Sequence, residues 1–199
     1  MLEKVIENLK KNGFSVEVAD TKWKAFDIAK TYLVDGISVG LGGSTTVEEI
    51  GLLNYLETRK SITLHNQYEK GISMEENLNR RREGMLSDLF IASSNAITHD
   101  GYLVNVDGTG NRVAAQIFGP KKVLLIVGVN KIVKDLDEAL DRLKNTAAAK
   151  NIERINEKAK SFGKEPSYCW DNIANKFTLI KSEKPGRTDI ILVKEELGF

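Results

Sequence analysis

The sequence predicts an α/β protein of the three-layer, Rossmann-like type, whose mostly parallel sheet is accompanied by an antiparallel hairpin. Short apolar runs of strand length alternate along the chain with segments in which apolar residues have helical spacing. The run VLLIV at 123–127 has no polar alternation, which is typical of a strand covered on both faces in a parallel sheet. The tripeptide His99-Asp100-Gly101 separates two apolar runs, and Asp-Gly favours the tight turn of a hairpin.

Four helices and three strands are predicted in the first half of the chain. Leu2, Val5, Ile6 and Leu9 form one apolar face of an opening helix, which Gly13 ends. The elements that follow are a strand at 14–20, a helix at 21–33, a strand at 37–41, a helix from about Thr46 to Arg59, a strand at 61–66 and a helix at 74–86.

The second half is predicted to continue the alternation up to a final strand. Its strands are expected at 89–93, 102–106, 123–129 and 189–193, and its helices at 112–118 and from Leu136 through Ile155. The turn at 99–101 predicts that FIASSNAIT at 90–98 pairs antiparallel with YLVNVD at 102–107. We expect one domain over 1–199 with a loose excursion at about 161–187, where Gly163, Pro166, Pro185 and Gly186 cluster.

Composition excludes several classes of protein. Among 199 residues, 41% are hydrophobic and 29% charged, and the net charge of +1 gives no electrostatic reason to expect nucleic acid as a partner. No apolar run reaches the roughly 18 residues of a membrane span, and the charged N-terminal segment does not resemble a targeting peptide. Cys169 is the only cysteine, which excludes an internal disulfide and a self-contained iron–sulfur or cysteine–zinc site. The expectation is a cytoplasmic protein without a metal or cofactor.

The stretch VGLGGSTTVEEIG at 39–51 is the first candidate ligand site. Glycines and hydroxyl side chains stand here at the end of a strand and the start of a helix, where backbone N–H groups attract anions. The sequence of this stretch matches neither the G-x-G-x-x-G dinucleotide-binding motif nor the P-loop, which needs a lysine after the glycines. A tight strand-to-helix turn whose glycines need a positive φ is the other interpretation. The candidate residues are Gly40, Gly42, Gly43, Ser44, Thr45 and Thr46.

A second candidate lies in the loop DGTGNR, which precedes a predicted helix. The arginine fork suits phosphate or carboxylate because it donates two parallel hydrogen bonds, although a surface position or a salt bridge to Asp107 would also account for Arg112. Asn95, at the end of a strand, is a further candidate, unless its side chain bonds only nearby backbone. The loop residues are Asp107, Gly108, Thr109, Gly110, Asn111 and Arg112.

Asn130 and Lys131 follow the buried strand at 123–129, so both are expected to line a cleft at the carboxyl edge of the sheet. Lys131 is a second candidate anion contact, and the alternative is an ion pair with a carboxylate such as Asp135. His65 ends a predicted strand and is a weaker candidate for an acid or base. The run of three arginines at 80–82 favours a solvated helix face, with a phosphate-rich ligand or an acidic partner as the minority interpretation.

Four stretches together resemble the LUD (lactate-utilization) domain family, of the kind found in the C protein of bacterial L-lactate oxidation. They are VGLGGSTTVEEIG, SSNAITHDGYLVNVDGTGNRVA, GPKKVLLIVGVNKIV and DIILVKEELGF, and the resemblance covers essentially the whole chain. It implies a fold similar to ribose-5-phosphate isomerase, glucosamine-6-phosphate deaminase (NagB) and the CoA transferases. In that superfamily the turn at 40–46 tends to hold a phosphate or a CoA-like ligand.

Departures from those enzymes favour binding over chemistry. Asn95 stands where sugar-phosphate isomerases have a catalytic aspartate, and an amide cannot shuttle a proton. No glutamate that could act as the nucleophile of a CoA transferase lies between Phe90 and Asp100. Many members of the family carry a cysteine cluster after the long helix, whereas this chain has only the SYCWDN segment around Cys169.

The resemblance implies an accessory or ligand-binding component of L-lactate oxidation that has no redox centre of its own. Its expected partners are a small phosphate-, nucleotide- or CoA-like anion, iron–sulfur subunits that oxidise lactate, and a second copy of the chain. An enzyme that acts on a phosphosugar or CoA ester and a non-catalytic oligomeric interaction module are the other two hypotheses.

Overall fold

The main sheet of the protein has six strands, and every neighbouring pair of strands is parallel. The structure is a computed structural model that describes residues 2–199. From one edge to the other the strands of the sheet are β1 (Ser15–Ala19), β10 (Thr188–Val193), β7 (Lys122–Gly128), β4 (Leu89–Ala92), β2 (Ser38–Leu41) and β3 (Thr63–His65). The α/β, Rossmann-like prediction is therefore confirmed.

Strand β7 lies at the centre of this sheet, where the uninterrupted apolar run predicted it. Leu125 pairs with Ala92 of β4 on one side and with Ile190 of β10 on the other, and all three side chains are buried. Apolar side chains on both faces of β7 are required because helices or a second sheet cover both faces.

Two apolar layers cover the sheet. On one face, α2 (Lys22–Lys30), α3 (Thr45–Glu49) and α4 (Leu52–Thr58) pack against side chains such as Leu124 and Ile126. On the other face, α1 (Leu2–Lys11) and α6 (Asn111–Ile117) pack against the alternate side chains Val123, Leu125 and Val127. The alternation of side chains along β7 thus supplies both layers.

A second, four-stranded sheet packs on the face that carries α1 and α6. In spatial order it consists of β8 (Ile132–Val133), β5 (Ala96–Thr98), β6 (Leu103–Asp107) and β9 (Lys176–Ile180). Ile97 and Leu103 face the main sheet, while Ala96, Val104 and Val106 pack against the helix that follows β8. The second sheet is therefore held between the main sheet and that helix.

The hairpin is present but shorter than predicted. Strands β5 and β6 are antiparallel around the turn at Gly101, which has a φ of +78°. The first residues of the predicted partner, Leu89–Ala92, instead form β4 of the parallel sheet. The prediction that 90–98 pairs as one strand was wrong, because the chain leaves the main sheet at Ser93 and Ser94 before it enters the second.

Two helix predictions are refined. The helix expected from Thr46 to Arg59 is two helices, α3 and α4, since Gly51 adopts a φ of +79° between them. The long helix is confirmed as α7 (Leu136–Arg142), a π-helical segment (Leu143–Ala148) and α8 (Ala149–Ser161). The remaining helices are α5 (Met74–Gly84) and α9 (Trp170–Ile173).

The segment 161–187 contains regular structure in its centre. It includes the short helix α9, and its strand β9 pairs with β6 along five residues. Between residues 2 and 199, no helix combines the length and the apolar character that crossing a lipid bilayer requires.

Candidate functional site

A cleft of about 1030 Å³ lies at the carboxyl ends of the strands. Its walls come from the loop after β2, the connection between β4 and β5, the loop after β6 and one face of α8. This is the edge at which open parallel sheets bind ligands. The cleft therefore brings together residues of the two glycine-containing loops that were predicted from the sequence as separate candidates.

Arg112 fixes the loops that form one side of the cleft. The side chain is buried, with 8% of its surface exposed; its two Nη atoms donate four hydrogen bonds within the chain, and Nε faces a carboxylate. Nη1 donates to Ser93 O (3.2 Å) and to Asn105 Oδ1 (2.9 Å). Nη2 donates to Asn95 Oδ1 (2.9 Å) and to Val106 O (2.7 Å). Nε lies 3.3 Å from Asp107 Oδ2, with which it forms an ion pair. Burial lowers the pKa of Arg112, and the Asp107 carboxylate opposes that change.

These bonds support the alternative interpretation of two predicted residues. The ion pair with Asp107 is present, and both Nη atoms of Arg112 already donate two hydrogen bonds each within the chain. Asn95 accepts from Val106 N (3.0 Å) as well as from Arg112, so its amide oxygen holds the second sheet to the cleft loops. Arg112 and Asn95 both line the cleft, and their hydrogen bonds hold the loops of its wall in place, so we call them the frame of the cleft.

Lys131 lies in the wall of the same cleft and is almost completely buried, with 1% of its surface exposed. Its Nζ lies 2.8 Å from Thr46 Oγ1 and 3.1 Å from Ser93 Oγ. The predicted alternative, an ion pair with Asp135, is not formed, because Asp135 pairs with Lys134 instead. Among the residues described, no carboxylate forms an ion pair with Lys131.

The surroundings of Lys131 disfavour its positive charge. Burial above all, and then the nearby guanidiniums of Arg142 and Arg112, lower the pKa of its ammonium to about 7, although Glu49 acts to raise it. A lysine without a carboxylate partner in a cleft, with a pKa near neutrality, is a recognised mark of a functional site.

The three consecutive arginines of α5 have different surroundings. Arg80 forms ion pairs with Glu69 and Glu76, while Arg82 is exposed and bonds to Asn79. Arg81 points into the cleft, where its Nη1 lies 3.0 Å from Thr109 Oγ1.

The Nε atom of Arg81 is buried and has no hydrogen-bond partner within the described chain. Its guanidinium also forms no ion pair with any residue from 2 to 199. A buried N–H group normally has an acceptor, so the charge and the donors of this guanidinium are incompletely compensated within the described chain. The solvated-face interpretation of 80–82 therefore does not hold for Arg81.

Basic side chains outnumber acidic ones around the cleft. Arg154 and Lys158 on α8 project from the opposite wall, and Arg154 and Arg81 both lie close enough to Tyr68 to lower its phenol pKa. Burial, the larger effect, raises the pKa of Tyr68 to about 12, so the phenol stays neutral near pH 7. The basic lining residues are Lys70, Arg81, Arg112, Lys131, Arg154 and Lys158, against the acidic Glu48, Glu69 and Asp107.

Most of the predicted site residues meet in this cleft. Those that line it are Gly43, Ser44, Thr45, Asn95, Asp107, Gly108, Thr109, Asn111, Arg112 and Lys131. Gly40, Gly42, Thr46, Gly110 and Asn130 do not line it. Thr46 is nevertheless part of the site, since it contacts Lys131 from behind.

The first two glycines of the turn serve packing. A Cβ on Gly40 would lie 2.3 Å from Gly84 O, because α5 crosses β2 at that point. A Cβ on Gly42 would lie 2.8 Å from Arg112 Cγ. Neither Gly40 nor Gly42 has a positive φ, so the interpretation of a turn that needs one was wrong; close packing requires glycine at both positions, and only Gly43 faces the cleft.

Asn130 faces away from the cleft. Its side chain bonds the backbone of Leu197 (3.1 Å) and Gly198 (3.2 Å), and it lines a smaller cavity of about 470 Å³. The expectation that Asn130 and Lys131 share one site was wrong, because consecutive residues of the 3₁₀ turn Val129–Lys131 point in different directions.

Three other chemically interesting residues lie outside the cleft. His65 Nδ1 bonds Glu83 Oε2 at 3.0 Å, His99 is in the hairpin turn, and Cys169 is exposed before α9. Neither histidine can therefore act on a ligand bound beside Lys131. Sequence reasoning missed many polar residues that line the cleft, among them Tyr68, Asn77, Ser93, Arg154 and Lys158.

The chain resembles known proteins at the level of family and fold. A family model described as LUD domain matches residues 2–193. Among solved structures, the fold is similar to that of a DUF162 family protein from Deinococcus radiodurans, with a TM-score of 0.51 and 13% sequence identity over 96% of this chain and 95% of that one. No curated protein matches the sequence.

Proposed function

Since the chain belongs to the LUD domain family, we propose that it is a lactate-utilization-type protein whose cleft binds a small anionic molecule. In this role the protein contributes a ligand site to L-lactate oxidation and depends on iron–sulfur partner subunits for electron transfer. The ligand carries a phosphate or carboxylate group, as phosphorylated metabolites, nucleotides and CoA derivatives do.

One observation carries the proposal: Arg81 and Lys131 line the same cleft, and neither is paired with a carboxylate of the described chain. Removing a cation from water without a counter-charge is costly. A bound anion would supply that counter-charge for Arg81 and would accept hydrogen bonds from its guanidinium, which lines the cleft. Arg81 therefore accounts for the charge of the expected ligand, and Lys131 provides a second contact in the same cleft.

The rest of the cleft suits the same chemistry. Arg154, Lys158 and Lys70 add positive charge at the exposed rim, where it attracts anions from solution. The hydroxyl groups of Ser44 and Thr45 add hydrogen-bonding capacity at the wall. The cleft volume is at the upper end of the range for small-molecule sites, which leaves room for a ligand of nucleotide size.

A thermal-shift titration with inorganic phosphate, pyruvate, ATP and coenzyme A tests the proposal. Saturation to about 100 times the Kd would stabilise the protein by roughly 2.7 kcal/mol. Arg81→Met should weaken binding of the stabilising anion about tenfold or more, as expected for loss of a charge-assisted hydrogen bond. Arg82→Met is the matched control, because the neighbouring arginine is exposed and faces away from the cleft.

Two results would contradict the proposal. The first is the absence of a shift with all four anions. The second is an equal loss of affinity in Arg81→Met and Arg82→Met, which would mean that only the overall charge of the protein matters. Affinity capture of lactate-oxidising iron–sulfur subunits from the native host, with Arg82→Met as bait, tests the partner part of the proposal separately.

Catalysis on a phosphosugar or CoA ester is the second candidate function, and Lys131 is the observation that favours it. An amine with a pKa of about 7 can accept or donate a proton near neutral pH.

A further inference from the structure

The hydrogen bonds around Lys131 have a defined direction. Thr46 Oγ1 donates its hydrogen to Leu197 O (3.3 Å), and Ser93 Oγ donates its hydrogen to Ser94 O (3.3 Å). Each hydroxyl oxygen therefore faces Lys131 Nζ as an acceptor. Two hydrogens of the Lys131 nitrogen are engaged in this way.

What remains at Nζ depends on its protonation. A charged amine has a third hydrogen, whereas a neutral amine has a lone pair in that direction. The charged groups around it are Arg112 on α6, Arg142 on α7 and Glu49 on α3. Arg142 is itself buried, its Nε has no partner in the part of the chain described, and it forms no ion pair there, so its charge acts on Lys131 without compensation. Two cations against one carboxylate favour the neutral amine.

From this geometry we propose that Lys131 forms an imine with the carbonyl carbon of an aldehyde or 2-oxo acid that carries an anionic group. The inference rests on the proposed function, since Arg81 and the basic rim would hold the anionic group of the same ligand. It adds the substrate class: a small anion that also has a reactive carbonyl. Lys131 is then the catalytic residue of the cleft, and Thr46 and Ser93 are positioning residues.

The step is a condensation that releases water. The Nζ lone pair forms a bond to the carbonyl carbon, while the π pair of the C=O bond moves to the oxygen, which takes a proton. The nitrogen loses a proton, and the C–OH group leaves as water after a second protonation by solvent. The nitrogen lone pair then forms the C=N bond. One amine, one carbonyl compound and one proton thus give one protonated imine and one water.

A charged lysine that serves only as an anion contact would be built differently. Such a role needs the ammonium at all times, and a neighbouring carboxylate or open solvent would maintain it. Here burial and two guanidiniums oppose the ammonium, and two hydroxyl acceptors hold the nitrogen in place. This arrangement resembles the desolvated lysines that react with carbonyl groups.

Borohydride trapping tests the inference. The protein is incubated with glyoxylate or pyridoxal 5′-phosphate at several pH values from about 6 to about 9, reduced with borohydride, and examined by intact mass and peptide mapping. We expect a secondary amine on Lys131, with a yield that rises about tenfold around pH 7 because the neutral fraction of that amine increases there. Exposed lysines should label much later, near their ordinary pKa.

The Lys131→Met variant should not form this adduct. The Lys160→Met variant, in which an exposed lysine outside the cleft is replaced, should still form the adduct on Lys131. The wild-type peptide map keeps the test decisive even if Lys131→Met folds poorly. Labelling spread over surface lysines, with none on Lys131, would overturn the inference. If the four-anion titration succeeds while Lys131 stays unlabelled, the imine proposal alone fails. Labelling of Lys131 without any anion-induced shift would instead contradict the proposed anion site.

Discussion

Lys131 Nζ and Thr46 Oγ1 lie 2.8 Å apart and join the end of β7 to the first turn of α3. The two residues are 85 positions apart in the sequence. Their contact places a buried amine directly behind the glycine turn, so that the turn and the amine belong to one cleft. The testable consequences of this arrangement concern stability, loop structure, backbone packing and ligand position.

The first prediction is that Lys131 destabilises the protein below about pH 10. Its pKa is lowered from 10.5 in the unfolded chain to about 7 in the folded one. Between these values the unfolded state binds more protons, so the free energy of unfolding rises with pH. Below pH 7 both states are protonated, and the full cost, on the order of 5 kcal/mol, is present.

Lys131→Met should therefore be more stable than the wild type at about pH 6, and the advantage should shrink through the window named above. Urea unfolding of both proteins at several pH values measures the difference. A constant difference across that window would show that the folded-state pKa of Lys131 is not lowered. A residue that lowers the free energy of unfolding commonly serves function, which agrees with a role of Lys131 in the cleft.

The second prediction concerns Arg112 as the frame of the cleft. Arg112→Met removes four donated hydrogen bonds and the ion pair with Asp107, so we expect a loss of about 3–5 kcal/mol in the free energy of unfolding. Arg82→Met should change it by less than about 0.5 kcal/mol. Denaturant titration of the two variants checks this, and similar stabilities would show that the Arg112 network is unimportant.

The third prediction separates the glycines of the turn. Gly40→Ala places a Cβ 2.3 Å from a backbone oxygen of α5, so we expect a loss of about 1–3 kcal/mol. Gly43→Ala meets only the Tyr68 hydroxyl at 3.2 Å, and its stability should change by less than about 0.5 kcal/mol. Thermal unfolding of the two variants measures the contrast. Equal losses would mean that the approach of α5 to β2 is not what requires glycine.

Local pattern was sufficient for much of the fold. The apolar run of β7 and the helical spacing from Leu136 onward depend on neighbours a few residues away, so the sequence displays them directly. The second sheet was missed because β9 is short and partly exposed, with Phe177 and Leu179 half-exposed, and is defined by its pairing with β6. Such pairing depends on tertiary contacts, which a one-dimensional pattern does not contain.

The site was predicted at the level of loops and less well at the level of side chains. Successive residues of a helix point about 100° apart, so Arg80, Arg81 and Arg82 face three directions, and the docking of α5 alone decides which one reaches the cleft. The same applies to Asn130 and Lys131 in their 3₁₀ turn. Arg154 and Lys158 gave no signal, because a basic residue on an amphipathic helix is ordinarily solvated.

The central claim, that Arg81 holds the anionic group of a ligand that also contacts Lys131, is tested most directly by a crystal structure of the protein with the anion that gives the largest thermal shift. We predict that an oxygen of the ligand lies within about 3.2 Å of a guanidinium nitrogen of Arg81 and that the ligand also contacts Lys131 Nζ. A ligand bound elsewhere, with the Arg81 guanidinium and Lys131 Nζ untouched, would contradict the account.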